Sequence, residues 1–227
     1  FIFAYHNDTA YWEKMSGVFA GDVMQVTGLM AKAFPVREIG PIIQTNMNGD
    51  IVEVSDCFAF SFQNAGYMRD GKIYTAKVKE KEEAPVLLGN ILQKNVKEKF
   101  YIPEEKLEKW TYLKGAKKIQ RTSASGHDYI FSEGAIAFPD PWDRPGRTML
   151  TSESTMNRST HVVLDPATNR LRLLTPIEAE RLQGFDDNWT NTGMPDRMRY
   201  FCMGNALVVP MITRMGKILD VILKEEK

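Results

Sequence analysis

The sequence predicts a mixed α+β fold, in which a small β-rich region with helical insertions is followed by C-terminal helices. Residues 51–78 are rich in strand-forming residues and contain an Asp70-Gly71 pair typical of a hairpin turn. Residues from Arg172 onward carry helix start and stop signals instead. The chain has 227 residues, of which 43% are hydrophobic, and this suffices for one sizeable core and a second small lobe.

The overall composition excludes little by itself. The 29 basic and 29 acidic side chains leave a formal net charge of zero, so an argument for nucleic-acid binding must rest on local charge. The two cysteines form no CxxC pair, which favours a reducing cytoplasm. No apolar run is long enough to predict a membrane span.

The elements are predicted in chain order from local patterns. The apolar run at residues 1–4 indicates a buried strand end, and we expect the chain to be a fragment of a longer protein because it opens inside this run. Short helices are predicted over residues 86–96 and from Pro103 through about Arg121. Residues 122–163 are polar and loop-rich, with short strand-like pieces at 128–131, 147–150 and 160–164.

The segment "RLLTPIEAERLQGF" (172–185) predicts a helix of about eight residues. Thr175 is a good N-cap, Pro176 suits the first helical position, and Glu178 completes a capping box. Gly184 is a typical left-handed stop. From the residues alone, this is either a well-capped surface helix or part of an ion-pair cluster of Arg172, Glu178 and Arg181 that braces a neighbouring lobe.

The last segment predicts a second helix, because apolar residues recur with helical spacing between Val208 and Ile222. Its "GN" (204–205) is predicted to lie at a loop-to-helix junction, where unpaired backbone N–H groups can meet a polar ligand.

Together, "RLLTPIEAERLQGF" and "MGNALVVPMITRMG" (203–216) resemble the last two conserved blocks of the DNA (cytosine-C5) methyltransferases, R-x-L-T-P-x-E-x-x-R-L-x-G-F and G-N-[SA]-V-x-V-P. Leu207 departs from this pattern, since the family usually has Val there. The opening "FIFAYHND" and the region "FSEGAIAFPDPWDRPGRTMLTSES" (131–154) resemble the family more loosely. The resemblance implies a strand end at 1–10, a target-recognition region at 11–171 and conserved blocks with a closing helix at 172–227. The C-terminal helices would then complete an α/β S-adenosylmethionine-dependent methyltransferase domain.

The family's catalytic motifs do not occur in this sequence. The nucleophile of the family is the Cys of a Pro-Cys-Gln motif, but neither Cys57 nor Cys202 follows a proline, and both are interpreted as buried thiols. The Glu-Asn-Val and Phe-x-Gly-x-Gly motifs are also missing. We therefore expect no catalytic residue and no metal ligand here, and we expect the catalytic N-terminal part to lie upstream of Phe1.

The resemblance also suggests which residues bind. Asn205 and the backbone at Leu207 would contact S-adenosyl-L-methionine. Thr148, or Thr151 after a slip of the alignment, would contact the phosphate beside a flipped cytosine. Arg158 would read a base edge, because an arginine in a flexible polar loop can bind guanine bidentately. Ser159 and Thr160 would assist on phosphates, and Arg172, Thr175, Glu178 and Arg181 would brace the recognition lobe against the catalytic one.

A basic cluster opposed only by Glu108 suits the phosphate backbone of DNA. Its members are Lys106, Lys109, Lys114, Lys117, Lys118 and Arg121, and of these Lys117, Lys118 and Arg121 are the predicted DNA contacts.

The leading hypothesis is the recognition and C-terminal portion of a cytosine-C5 DNA methyltransferase in a bacterial restriction-modification system. Its partners would be double-stranded DNA and the catalytic part, and its location would be the cytoplasm, at the nucleoid through DNA. The alternatives are a separate DNA-specificity subunit of a split methyltransferase and a relative of the tRNA cytosine methyltransferases. The tRNA branch is disfavoured because "CFAFSFQNA" (57–65) departs from its Cys-Phe-Thr-x-x-Tyr-x-x-Tyr signature.

Overall fold

We describe the fold from a computed structural model, which covers residues 1–47 and 49–226, without the side chain of Cys57. The fold is mixed α/β and divides into two compact units. The first comprises Phe1–Glu83 and Pro210–Lys227, and the second comprises Ala84–Val209. Residue 172, where the sequence predicts a boundary, lies inside a strand of the second unit, and the division into a target-recognition region and C-terminal blocks stays a prediction.

The first unit begins with helices and continues with antiparallel strands. Over Phe1–Glu83 its helices are α1 (Ala10–Met15), α2 (Ala20–Asp22), which runs into a π-helical turn (Val23–Thr27), α3 (Leu29–Ala33) and α4 (Ile51–Cys57). Its strands are β1 (Val36–Ile39), β2 (Ile43–Asn46), β3 (Ala65–Arg69), β4 (Lys72–Ala76) and β5 (Val78–Glu80). Strand β1 pairs with β5, and the other three form a sheet in the order β2-β4-β3.

Over Phe1–Glu83, one local prediction is confirmed and two are wrong. Asp70 and Gly71 form the β3–β4 turn with positive φ angles, as predicted. Residues 1–4 form no strand, and Phe1 and Ile2 are exposed. Residues 51–57, which were expected to be β, form α4, because the carboxylate of Asp50 accepts hydrogen bonds from the N–H groups of Val52 and Glu53 and caps a helix there.

The second unit alternates short helices and two-stranded hairpins. Its elements are α5 (Leu88–Ile91), two 3-10 turns (Glu98–Phe100 and Glu104–Lys106), α6 (Leu107–Lys114), β6 (Lys117–Thr122), β7 (Asp128–Glu133), β8 (Val162–Leu164), β9 (Leu171–Leu173), α7 (Pro176–Gln183) and α8 (Asp196–Asn205). Strand β6 pairs with β7 and β8 with β9, both antiparallel. Side chains from α5, α7, α8 and the segment before α7, including Leu88, Leu174 and Met203, form its largest core.

The structure confirms the strand-like pieces at 128–131 and 160–164, which contain parts of β7 and β8. The piece at 147–150 is not a strand. The helix expected through Arg121 ends at Lys114, and residues 117–122 pair with β7 instead, because cross-strand pairing outweighs a weak local helix preference.

Three helices, rather than two, follow residue 172. Residues 206–208 separate α8 from the closing helix α9 (Val209–Glu225). The predicted apolar stripe of α9 is confirmed, since Met215, Ile218 and Ile222 pack with Tyr11 and Met15 in the core of the first unit. Among the described residues, no helix is both long and apolar enough to cross a membrane.

Candidate nucleic-acid interface

The start of α7 has the predicted capping box. The Thr175 hydroxyl accepts a hydrogen bond from the Glu178 N–H at 3.2 Å, and the Glu178 carboxylate accepts one from the Thr175 N–H at 2.7 Å. Gly184 ends the helix in the left-handed conformation with a φ of 81°. The structure therefore confirms both ends of the helix that the sequence predicts.

Glu178 is also one end of a buried ion network, so α7 is no surface helix. Arg172 is 0% exposed, and its guanidinium donates to both Glu178 carboxylate oxygens at 2.8 Å and to Asp165 at 2.8 Å. Burial alone would raise the pKa of Asp165, but hydrogen bonds from Arg172 and from the N–H groups of Ala167 and Thr168 hold it below its ordinary value. The network ties the β8–β9 hairpin to the first turn of α7.

Arg181 lies outside this network. It makes a bidentate pair with Asp187 at 2.7 and 2.6 Å and donates to the carbonyl of Ile91 at 3.0 Å. All of these contacts, like those of Arg172, lie within Ala84–Val209. The brace between a recognition lobe and a catalytic lobe stays a prediction.

Two further contacts, which the sequence did not predict, join α7 to α8. Buried Glu180 accepts a hydrogen bond from Arg199 at 2.8 Å and one from the hydroxyl of Thr190. The side chain of Gln183 donates to the carbonyl of Met203 at 2.8 Å. The second acidic residue of "EAER" (178–181) was the sequence signal for the first contact, because a buried acid needs a cationic partner. Together they hold α8 against α7 at two points along its length.

The predicted cofactor residues lie just beyond this point. Asn205 is the last residue of α8, and its side-chain amide donates to the Phe201 carbonyl at 3.0 Å. The prediction that "GN" opens a helix is wrong, because α9 begins only at Val209. Leu207 is exposed in the link between the two helices. The two residues therefore offer an exposed amide and an exposed apolar side chain, and their contact with a cofactor stays a prediction.

Gly204 allows the polar loop after Arg147 to approach α8. A β-carbon at Gly204 would lie 2.3 Å from the backbone nitrogen of Thr151 and 2.5 Å from the carbonyl carbon of Leu150. Thr151 is thus brought beside the predicted cofactor residues, while Thr148 is an exposed loop residue. A groove of about 580 Å³ also involves this loop, and it is lined by Thr151, Ser152, Thr155, Pro195, Arg197, Met198 and Phe201.

Arg158 does not project from a flexible loop, and this part of the prediction is wrong. Its guanidinium donates to the carbonyls of Leu113 at 3.1 Å, Gly115 at 3.0 Å and Gly134. These bonds use both terminal nitrogens on main-chain acceptors, which leaves the side chain poorly placed to read a base. Arg158 instead holds the two ends of the β6–β7 hairpin together.

The prediction that Thr160 assists on a phosphate is also wrong, because Thr160 is buried and its hydroxyl donates to the Thr155 carbonyl. It therefore cannot reach a phosphate in this conformation. Its neighbour Ser159 is half-buried, and its carbonyl accepts from Arg147 at 3.0 Å. Arg147 also pairs with Asp140 at 2.6 Å, so this arginine, which the sequence did not single out, organises the segment that carries both residues.

The basic cluster is divided between the surface and the interior. Lys106, Lys109, Lys118 and Arg121 are exposed. Lys117 is largely covered and donates to the Leu113 carbonyl at 3.0 Å. Lys114 is buried and donates to the Thr160 carbonyl. It therefore cannot contact DNA, and its assignment to the basic DNA-facing cluster is wrong. Burial lowers the pKa of Lys114 to about 8.

No metal centre is found among the described residues: they contain no group of three or more His, Cys, Asp or Glu side chains that could hold an ion. His161 is buried against Glu153, with its Nδ1 3.0 Å from the carboxylate. Cys202 is a free cysteine that is half-buried rather than buried as expected. The side chain of Cys57, which was also interpreted as buried, lies outside the described part of the structure.

Comparison with known proteins gives one family and several relatives. The family described as C-5 cytosine-specific DNA methylase matches residues 2–220. The chain is 47% identical over 223 residues to the Type II methyltransferase M.Sau3AI of Staphylococcus aureus, covering 97% of this chain and 53% of that protein. It thus spans about half the length of the curated relative it matches.

Two solved structures are also similar. One is the Entamoeba histolytica methyltransferase EhMeth, with 14% identity, a TM-score of 0.41 and coverage of 82% of this chain and 55% of that chain. The other is the S. pombe Dnmt2 methyltransferase, with 13% identity, a TM-score of 0.42 and coverage of 68% and 52%.

Proposed function

The chain belongs to the C-5 cytosine-specific DNA methylase family, and we propose that it is the DNA-recognition and C-terminal portion of a cytosine-C5 DNA methyltransferase. Joined to the catalytic part, it would position double-stranded DNA so that a methyl group passes from S-adenosylmethionine to C5 of an extruded cytosine. The family match over residues 2–220 carries this proposal. Because the relative from Staphylococcus aureus is named a Type II methyltransferase, we place the reaction in a bacterial restriction-modification system, on DNA in the cytoplasm.

The proposed DNA surface lies in the unit Ala84–Val209. Exposed Lys118 and Arg121 on β6 are suited to phosphates, and Lys117 on the same strand, which is largely covered, would add its charge from the root of the strand. Thr148 and Ser159 each offer a hydroxyl that can reach a phosphate oxygen from a loop. Arg158 and Thr160 act behind this surface, since their polar groups are bound to the chain itself.

S-adenosylmethionine supplies the electrophilic methyl group when it is bound. Asn205 and Leu207 fit one edge of such a ligand, because a free carboxamide oxygen can accept from its polar groups and an exposed leucine can cover its apolar ones. They do not enclose it, so further residues of the complete binding site must come from elsewhere.

Transfer of labelled methyl groups tests the proposal. This chain would be combined with the segment of M.Sau3AI that it does not match, and each part would also be assayed alone on duplex DNA. We expect label at cytosine C5 only when both parts are present, because the catalytic motifs do not occur in this sequence. Methyl transfer by this chain alone would refute the proposed division of labour.

A further inference from the structure

The β6–β7 hairpin is a two-stranded ribbon with an exposed outer half. In the described part of the chain its strands pair only with each other, from Lys117↔Glu133 at the root to Thr122↔Asp128 near the turn. Residues 120–122 and 128–130 are all exposed, so both faces of the outer half are open to solvent. An isolated hairpin is only marginally stable in water, so this ribbon needs support from its root.

The root is held by Arg158. Gly115 lies two residues before β6 and Gly134 directly follows β7, and the Arg158 guanidinium donates to the carbonyls of both. The Ile136 N–H donates to the Lys114 carbonyl at 3.0 Å at the same end of the ribbon. These contacts fix the start of β6 and the end of β7, and the ribbon is therefore an arm with a set direction within its own unit.

The ribbon carries two exposed cationic side chains that form no ion pair with any described residue. Strand alternation places Arg121 on one face, where its guanidinium stacks 4.2 Å from the centre of the Phe131 ring. Lys118 lies on the opposite face. Among the described residues, the ion pairs at this ribbon are Lys117–Glu133 and Arg158–Glu133, and neither Lys118 nor Arg121 takes part in one. Free cations on both faces complement a surface that is negatively charged on two sides, as the walls of a DNA groove are.

The face that carries Lys118 also presents two side chains with no task in the fold. Gln120 and Ile130 are register partners, so they stand side by side on this face. Ile130 is 68% exposed, and within the described residues the Gln120 amide makes no hydrogen bond. A free carboxamide beside a bare aliphatic group matches the major-groove edge of an A·T pair, where adenine offers N6 and N7 and thymine offers its methyl group.

We propose that the β6–β7 ribbon enters the major groove of double-stranded DNA, and that Gln120 with Ile130 selects an A·T pair in the recognised sequence. This inference rests on the proposed function and deepens it. Two strands about 4.8 Å apart, with their side chains, fit a groove about 12 Å wide. The deep, narrow major groove of an A-form RNA duplex does not admit such a ribbon. Lys118 and Arg121 would contact the phosphates on the groove walls.

Selection from a randomised pool of duplex DNA tests this inference with the full 227-residue chain. The bound sequences are read, and affinity is then measured for duplexes in which the selected A·T pair is replaced by G·C. The variants are Gln120→Ala, Ile130→Ala, Lys118→Gln and the control Gln44→Ala, which removes an exposed strand glutamine from the other unit. Circular dichroism confirms that each variant is folded.

The wild-type chain should prefer A·T at one position by about 5- to 150-fold, the discrimination typical of a bidentate contact. Gln120→Ala should abolish that preference, Ile130→Ala should reduce it, and Lys118→Gln should weaken all duplexes alike. Gln44→Ala should change nothing.

Three results would overturn the inference. In the first, Gln120→Ala keeps the full preference, or the wild-type chain selects no A·T pair. In the second, duplex RNA of the same sequence binds as well and shows the same dependence on Gln120. In the third, the wild-type chain binds no duplex DNA, and this result alone would also overturn the proposed function.

Discussion

At the residue scale, the capping residue Glu178 does more than the sequence indicates. A capping box usually lies at the surface, but here the same carboxylate neutralises buried Arg172. Removing one partner of a buried ion pair leaves an uncompensated charge, which costs far more than losing an exposed pair. Glu178 therefore stabilises the buried arginine as well as capping the helix.

Glu178→Gln removes that charge while its side-chain oxygen can still accept the cap hydrogen bond. Its amide NH2 then faces the Arg172 guanidinium and the Gln93 N–H, which the second Glu178 oxygen accepts in the wild type. We expect the free energy of unfolding to fall by about 3–5 kcal/mol, measured by urea titration. The matched control Asp187→Asn breaks the partly exposed pair with Arg181 and should cost less than about 1 kcal/mol. Equal losses in the two variants would show that burial of the Arg172 network contributes nothing.

The burial of Lys114 predicts that the free energy of unfolding depends on pH. Burial lowers its pKa to about 8, so the unfolded chain binds more protons than the folded chain between that pH and the ordinary lysine pKa of about 10.4. The destabilising effect of Lys114 is therefore full below about pH 8 and is relieved as the pH rises through this window.

The test compares the wild-type chain with Lys114→Met at pH 7 and pH 9.5 by urea unfolding, so that the titration of other groups cancels. The free energy of unfolding of the wild type, relative to the variant, should increase by about 2 kcal/mol between the two pH values. A difference that does not change with pH would mean that Lys114 keeps an ordinary pKa.

At the element scale, the contact between α8 and the polar loop depends on Gly204. Its neighbours are backbone atoms of Leu150 and Thr151, which cannot rotate away as a side chain can. Gly204→Ala should therefore lower the free energy of unfolding by about 1–3 kcal/mol. It should also weaken DNA binding by displacing the loop that contains Thr148.

Gly216→Ala is the matched control, because this glycine lies inside α9 with open space around it. Alanine is the better helix former, so the control should be up to about 1 kcal/mol more stable than the wild type. The stability of both variants is measured by thermal unfolding, and their affinity for duplex DNA is compared with that of the wild type. Two variants that respond alike would contradict the close approach at Gly204.

Elements with a complete local signal could be predicted from the sequence. The capping box and stop of α7, the Asp-Gly turn of β3–β4 and the stripe of α9 each lie within a short window. Strand β6 could not, because "KKIQRT" has no strong preference and becomes a strand only by pairing with β7.

At the scale of the whole molecule, the sequence motifs indicate the family, but they do not show what each residue contacts. Arg158 was expected to read a base because it lies in a polar segment, yet its acceptors are 24 to 45 residues away in sequence. Distances of that kind are set by the packing of the unit Ala84–Val209. Packing also decides which of the predicted phosphate contacts are accessible, since Lys118 and Arg121 lie at the surface and Thr160 is buried.

The most direct test of the central claim is the affinity of this chain for duplex DNA and for tRNA, each measured over a range of salt concentrations. The account predicts that the chain binds duplex DNA more tightly than tRNA. The logarithm of its affinity for DNA should fall linearly with the logarithm of the salt concentration, because cationic side chains of the protein displace counterions from the phosphates. Tighter binding of tRNA, or no salt-dependent binding of duplex DNA, would contradict it.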